Sequence, residues 1–121
     1  ENRFRENDWE TVQSVLAAAV DAPDARTAVE RLRQLTGVTV PVASAVLHYV
    51  DPGRYVVVDE RPWSVLYDRG ELAEPYPDPP SVDAYLAYLE RCRETAADLG
   101  VDLQTVYRAL WRLGTPDELT E

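Results

Sequence analysis

The chain has 121 residues, enough for one domain with a single core and too few for two. Its 45% hydrophobic and 28% charged residues describe a globular protein, and the apolar run from Leu16 to Val20 is far too short to cross a bilayer. The net charge of −10 repels a phosphate backbone at long range, and the lack of any lysine excludes mechanisms that need a lysine amine for a Schiff base.

The first helical pattern runs from about Asp8 to Val20, where Asn7 or Asp8 can cap and Trp9, Val12, Leu16 and Val20 recur on one face. Pro23 ends it. Asp24 suits the cap of a second helix with Ala28, Val29, Leu32 and Leu35 on its apolar side, closed at Thr36-Gly37 by a glycine in the left-handed conformation. Pro41 fits the first turn of a third helix, predicted to turn Val42, Ala45, Val46 and Tyr49 to the core and to stop near Asp51-Pro52-Gly53. Tyr55 to Val58 is β-branched but has no neighbouring strand to pair with, so it reads as a buried extended loop.

Asp59 can cap a fourth helix carrying Trp63, Leu66 and Tyr67. Gly70 and the prolines at 75, 77, 79 and 80 make the next stretch an acidic, stiffened connector. Ser81 opens the longest helix, with a stripe of Val82, Tyr85, Leu86, Leu89, Ala96 and Leu99 that Cys92 continues, and Gly100 closes it. Asp102 caps a sixth helix bearing Leu103, Val106, Tyr107, Leu110 and Trp111, and the tail after Gly114 is expected to fray. The expected fold is all-α, six helices in one domain spanning 1–121.

The single Cys92 cannot form an internal disulfide, and one sulfur with one histidine does not make a zinc site. A reducing, cytoplasmic setting is expected, with no metal and no cofactor. The chain contains no methionine, so further native residues are expected before Glu1.

Charge is distributed unevenly. Residues 1–25 carry two Arg against six acids, residues 26–61 five against four, and residues 62–121 five against twelve. The middle segment is therefore neutral enough to tolerate a phosphate contact, without being a basic patch.

That segment also holds the informative motif. Leu35-Thr36-Gly37-Val38-Thr39-Val40-Pro41-Val42-Ala43-Ser44-Ala45-Val46-Leu47 joins two amphipathic helices through a tight turn, and a proline-containing loop then leads to Asp59. The pattern resembles the helix-hairpin-helix DNA glycosylases, and the spacing of Gly37 and Asp59 is similar to that of the turn glycine and catalytic aspartate in endonuclease-III-like members. The resemblance covers about Arg26 to Leu66, with a helix-hairpin-helix core at about 24–69. It implies a glycosylase-like arrangement of the helices, backbone contact with duplex DNA through Gly37, Val38 and Thr39, and a catalytic role for Asp59. Two positions depart from it. Thr39 stands where the family has a second glycine, and Pro41, which has no N–H, occupies the place of the lysine used by bifunctional members.

Amides exposed at a helix start form an anion site aided by the helix dipole. Asp59 suits both a helix cap and a carboxylate that stabilises an oxocarbenium-like sugar or activates water. His48, seven residues after Pro41, projects from the same helix face and is the second candidate catalytic group, with a hydrogen-bonded structural histidine as the alternative. Trp63, Tyr67, Tyr107 and Trp111 read as core aromatics. Three readings follow: a glycosylase-like domain contacting the DNA backbone, a monofunctional glycosylase using Asp59, and a non-catalytic scaffold with a protein partner.

Overall fold

The computed structural model describes residues 7–114 and, among them, six α-helices and no strand. They are α1 (Trp9–Val20), α2 (Ala25–Leu32), α3 (Val40–Val50), α4 (Glu60–Asp68), α5 (Val82–Leu99) and α6 (Leu103–Leu113). The expectation for the tail after Gly114 falls outside the described residues. No helix among them is long and apolar enough to cross a membrane.

Side-chain caps define the helix starts. Asp8, Asp24, Thr39, Ser81 and Asp102 each accept a hydrogen bond from the backbone N–H three residues on, and Asp59 accepts from Glu60. Such caps stabilise the helix starts because they satisfy amides that the helix leaves open. α5 ends at Gly100 with φ 70°.

Bonds to Thr11 and Thr27 hold the carboxyls of Asp8 and Asp24 below their ordinary value, and bonds to the Thr105 hydroxyl and amide do the same for Asp102. A group whose pKa is depressed by folding stabilises the native state above its unfolded value and loses that contribution as pH falls through the folded one. The urea midpoint is therefore expected to hold near pH 5 and to decline once the pH drops below the unfolded value of 3.8. A midpoint flat to pH 2 would show that the three caps contribute nothing.

α1, α2 and α3 pack against one another, α5 lies on both α2 and α6, and α4 rests on α6. One continuous core joins the two halves, with Val29 and Leu32 of α2 and Tyr85, Tyr88, Leu89 and Cys92 of α5 almost completely buried. Between the halves runs the extended segment that follows α3. Its Tyr55, Val56 and Val58 are buried, and side chains rather than a second strand satisfy its backbone. Tyr85 Oη donates to the Val56 carbonyl at 2.9 Å, Tyr88 Oη to the Val57 carbonyl at 2.8 Å, and the Val58 amide donates to Ser44 Oγ at 3.0 Å. Ser44 Oγ in turn donates to the Pro41 carbonyl at 2.7 Å, which accounts for a fully buried serine.

Among the described residues, Tyr55 Oη is buried without a hydrogen-bond partner. Removing an unsatisfied buried hydroxyl relieves a desolvation cost. Tyr55→Phe is thus expected to leave the urea midpoint unchanged or to raise stability by up to about 1 kcal/mol. A clear loss would reveal a partner for that hydroxyl.

The predicted helices all form, but several faces differ. α3 buries Val40, Ala43, Ser44 and Leu47, whereas Val42 is 44% and Tyr49 87% exposed and Ala45 faces solvent. The reason is size: Ala43 and Ser44 allow close approach to α2 and to the extended segment, which the larger Val42 and Tyr49 would prevent. On α1, Val12 and Ala19 are buried while Trp9 and Val20 remain exposed. Leu99 and Tyr67 are exposed as well, and Tyr88, absent from the predicted stripe, is at the centre of the core.

Tyr88 belongs to an aromatic cluster. Trp63 stacks on it at 5.8 Å and 10°, Tyr76 meets Trp63 edge-on at 5.9 Å, and Trp63 Nε1 donates to the Glu74 carbonyl at 2.9 Å. The indole thereby ties the proline-rich connector to α5. Burial pushes the Cys92 thiol up to about 12, so this residue is packing material rather than a nucleophile.

Candidate functional site

The extended segment places Asp59 at the start of α4. Because Val58 is hydrogen-bonded to Ser44 and the Asp59 carbonyl accepts from the Trp63 amide, the backbone on both sides of the aspartate is fixed. Its carboxylate accepts from its neighbour Glu60 at 2.8 Å and lines a cleft of about 600 Å³ between α4 and α6. Glu60, Arg61, Ser64 and Asp68 of α4 and Trp111 of α6 share the lining.

Arg61 lies over the Trp111 ring, 4.4 Å from its centroid, a cation–π contact. Gly114 makes this path available to the Arg61 stem, since a Cβ there would stand 2.4 Å from Arg61 Cγ. Trp111 meets Tyr107 edge-on at 6.3 Å, and the Tyr107 ring is 6.0 Å from that of His48. Burial raises the pKa of the Tyr107 phenol first of all; hydrogen bonding from Trp111 opposes this, and the negative charge of Asp59 adds to it. The Tyr76 phenol is raised by burial and then by Asp59, Asp78 and Glu60. Asp59 therefore acts electrostatically on a phenol from α6 and on one from the connector.

His48 does not line the Asp59 cleft and approaches it across Tyr107. Its Nδ1 lies 3.0 Å from the Tyr55 carbonyl. A carbonyl only accepts, so Nδ1 is the donor in this bond. The histidine thus has a structural role, fixing the extended segment, while half-exposed beside Tyr107.

The hairpin joins α2 to α3 through Gly37 at φ 84°, a conformation in which a Cβ is disfavoured. Asn7 braces the turn, accepting from the Thr36 amide and donating to the Thr36 carbonyl, each at 2.9 Å. Of the three residues expected to contact phosphate, Gly37 and Thr39 are exposed and Val38 is buried. The Val38 amide is also engaged, donating to the Leu35 carbonyl at 3.3 Å, and the Thr39 hydroxyl accepts from Val42 at 3.5 Å. Gly37 and Thr39 are the exposed residues of this turn, whereas Val40 is buried and Pro41 has no amide.

The arginines of this region are partly committed. Arg26 pairs with Asp83 and Glu30, and Arg54 with Asp51 at 3.6 Å. Sequence reasoning named Asp59 and His48 but could not place Tyr107 and Trp111 around them, because those residues arrive only through tertiary packing. No protein-family model, no curated protein and no solved structure matches the chain.

Proposed function

We propose that this chain is a helix-hairpin-helix domain of the DNA glycosylase type that holds the backbone of duplex DNA at the start of α3, with Asp59 as its candidate catalytic group. One observation carries the reading: the segment after the hairpin delivers an aspartate, fixed on both sides, to the start of a helix at an open cleft. The exposed backbone of Gly37 and Thr39 at the positive end of α3 suits a phosphate contact that needs no basic patch. At this cleft the Asp59 carboxylate suits the stabilisation of developing positive charge on a sugar or the activation of water, with no lysine required.

A second reading, a scaffold without DNA affinity, draws on the engaged Val38 amide, on Pro41, and on the carboxylates paired with Arg26 and Arg54. The two separate in a titration of a fluorescent duplex containing an abasic-site analogue, at low and then moderate salt. Salt-sensitive binding is expected, weakened on the order of tenfold or more by Thr39→Glu, which sets a carboxylate against the phosphate. No binding at low salt would favour the scaffold. For catalysis, Asp59→Asn is expected to lower excision by about 100-fold or more while retaining duplex binding; undiminished excision would remove Asp59 from the chemistry.

A further inference from the structure

The lining of the Asp59 cleft is unbalanced in charge. Asp59, Glu60 and Asp68 give it three carboxylates, and among the described residues that line it Arg61 is the single cation. Arginines elsewhere neutralise neighbouring acids: Arg26 pairs with Asp83 and Glu30, Arg54 with Asp51, and Arg91 with Glu71 and Glu94. Among the described residues Arg61 forms no such pair, although three carboxylates share its cleft, and its guanidinium rests on the Trp111 ring. A ring holds the cation by its face and leaves hydrogen-bond donors for a ligand, whereas a carboxylate fork uses two of them.

The end of α6 is built around this side chain. Gly114 stands at φ −85° and ψ 2°, a conformation open to residues that carry a side chain, so the backbone does not call for glycine. Space does. A Cβ at this position would collide with Arg61 Cγ and stand 3.0 Å from its Cδ and 3.3 Å from Val65 Cγ2. Those atoms are the root of the arginine stem, which cannot move aside without lifting the guanidinium off Trp111.

We propose that Arg61 is the group of the Asp59 cleft that binds a DNA phosphate, and that Gly114 and Trp111 of α6 position it. The inference rests on the reading of Asp59 as a group acting at a DNA sugar. A sugar brought to Asp59 brings the phosphodiesters on either side of it, and their charges meet those of Asp59, Glu60 and Asp68 at short range. One guanidinium in the same cleft, two residues from Asp59, offsets that repulsion and presents a planar fork to phosphate oxygens. The hairpin then holds the duplex, while Arg61 sets the register of the nucleotide at the aspartate.

The test titrates a fluorescent duplex carrying an abasic-site analogue across a series of salt concentrations, and the same duplex with uncharged methylphosphonates flanking that site. Arg61→Ala is expected to weaken binding of the charged duplex about tenfold and to lower the slope of log K against log salt by about one. Arg69→Ala, at the far end of α4 and outside the cleft, makes the same change of charge and should cost under about twofold. On the methylphosphonate duplex Arg61→Ala should cost no more than that control. Gly114→Ala keeps every charge and is expected to cost about threefold or more in the wild type and nothing further in the Arg61→Ala protein, where no Cγ remains to be displaced. It also carries the test if Arg61→Ala fails to fold. Binding that Thr39→Glu weakens but that is no more sensitive to Arg61→Ala than to Arg69→Ala would overturn this inference and leave the hairpin reading standing. Indifference to Gly114→Ala, a Gly114→Ala loss undiminished without the Arg61 side chain, or an Arg61→Ala loss undiminished on the methylphosphonate duplex would overturn it as well. No binding by the wild type at low salt would remove the reading and the inference together.

Discussion

Trp63→Ala is expected to destabilise the domain by about 3–5 kcal/mol, the range for truncating a large buried aromatic. The indole is 3% exposed, stacks on Tyr88, meets Tyr76 edge-on and donates to the Glu74 carbonyl, so its removal opens a cavity and releases the connector together. Domains are commonly stable by only about 5–15 kcal/mol, so the loss would take much of the total. Urea unfolding followed by circular dichroism measures it. Trp63→Phe keeps an aromatic face against Tyr88 and should recover more than half of the loss. A cost under about 1 kcal/mol for the alanine variant would mean that the core around Tyr88 re-closes, contrary to the packing described.

The second large effect is expected at Ser44, where loss of one oxygen strands a buried backbone amide. Ser44→Ala leaves the buried Val58 amide without an acceptor and the Pro41 carbonyl without the hydroxyl, a cost of about 1–3 kcal/mol. Hydrogen exchange should show the Val58 amide losing protection before the amides of α5. Because Val58 precedes Asp59, the same substitution should also loosen the candidate catalytic carboxylate. Tyr85→Phe removes a different tether from the same segment, and the double variant should depart from additivity by about 0.5 kcal/mol or more. Strict additivity would show that the tethers act independently.

Helix starts were legible because local chemistry sets them: Asp8, Asp24, Ser81 and Asp102 cap where their residue types predict, and Gly100 takes positive φ at the end of α5, whereas α2 ends at Leu32, short of the expected Thr36-Gly37, and Gly37 turns the chain beyond it. The extended, strandless reading of Tyr55 to Val58 was legible too, since nothing nearby could pair with it. The faces of α1 and α3 were not. The sequence Val40-Pro41-Val42-Ala43-Ser44-Ala45-Val46-Leu47 is apolar or small at nearly every position, so its period has no phase, and close packing through Ala43 and Ser44 decided which side was buried. At the candidate site, Asp59 was visible as a cap after a loop. Its surroundings were not, because Tyr107 and Trp111 lie about fifty residues away in the chain and no local pattern records their approach.

The tethered segment also bears on what the chain does when it is not folded. Tyr55-Val56-Val57-Val58 is uncharged and strongly β-forming, a composition that favours intermolecular cross-β stacking once α3 and α5 let it go. Arg54 and Asp59 bracket it, one charge at each end, in the position of residues that discourage such stacking. Neutralising Asp59 thus takes away one of two guards against aggregation from the denatured state, whatever the aspartate does in the native one. Low soluble yield of an Asp59→Asn protein would report on that loss during refolding, and belongs to a different account from any change in its chemistry.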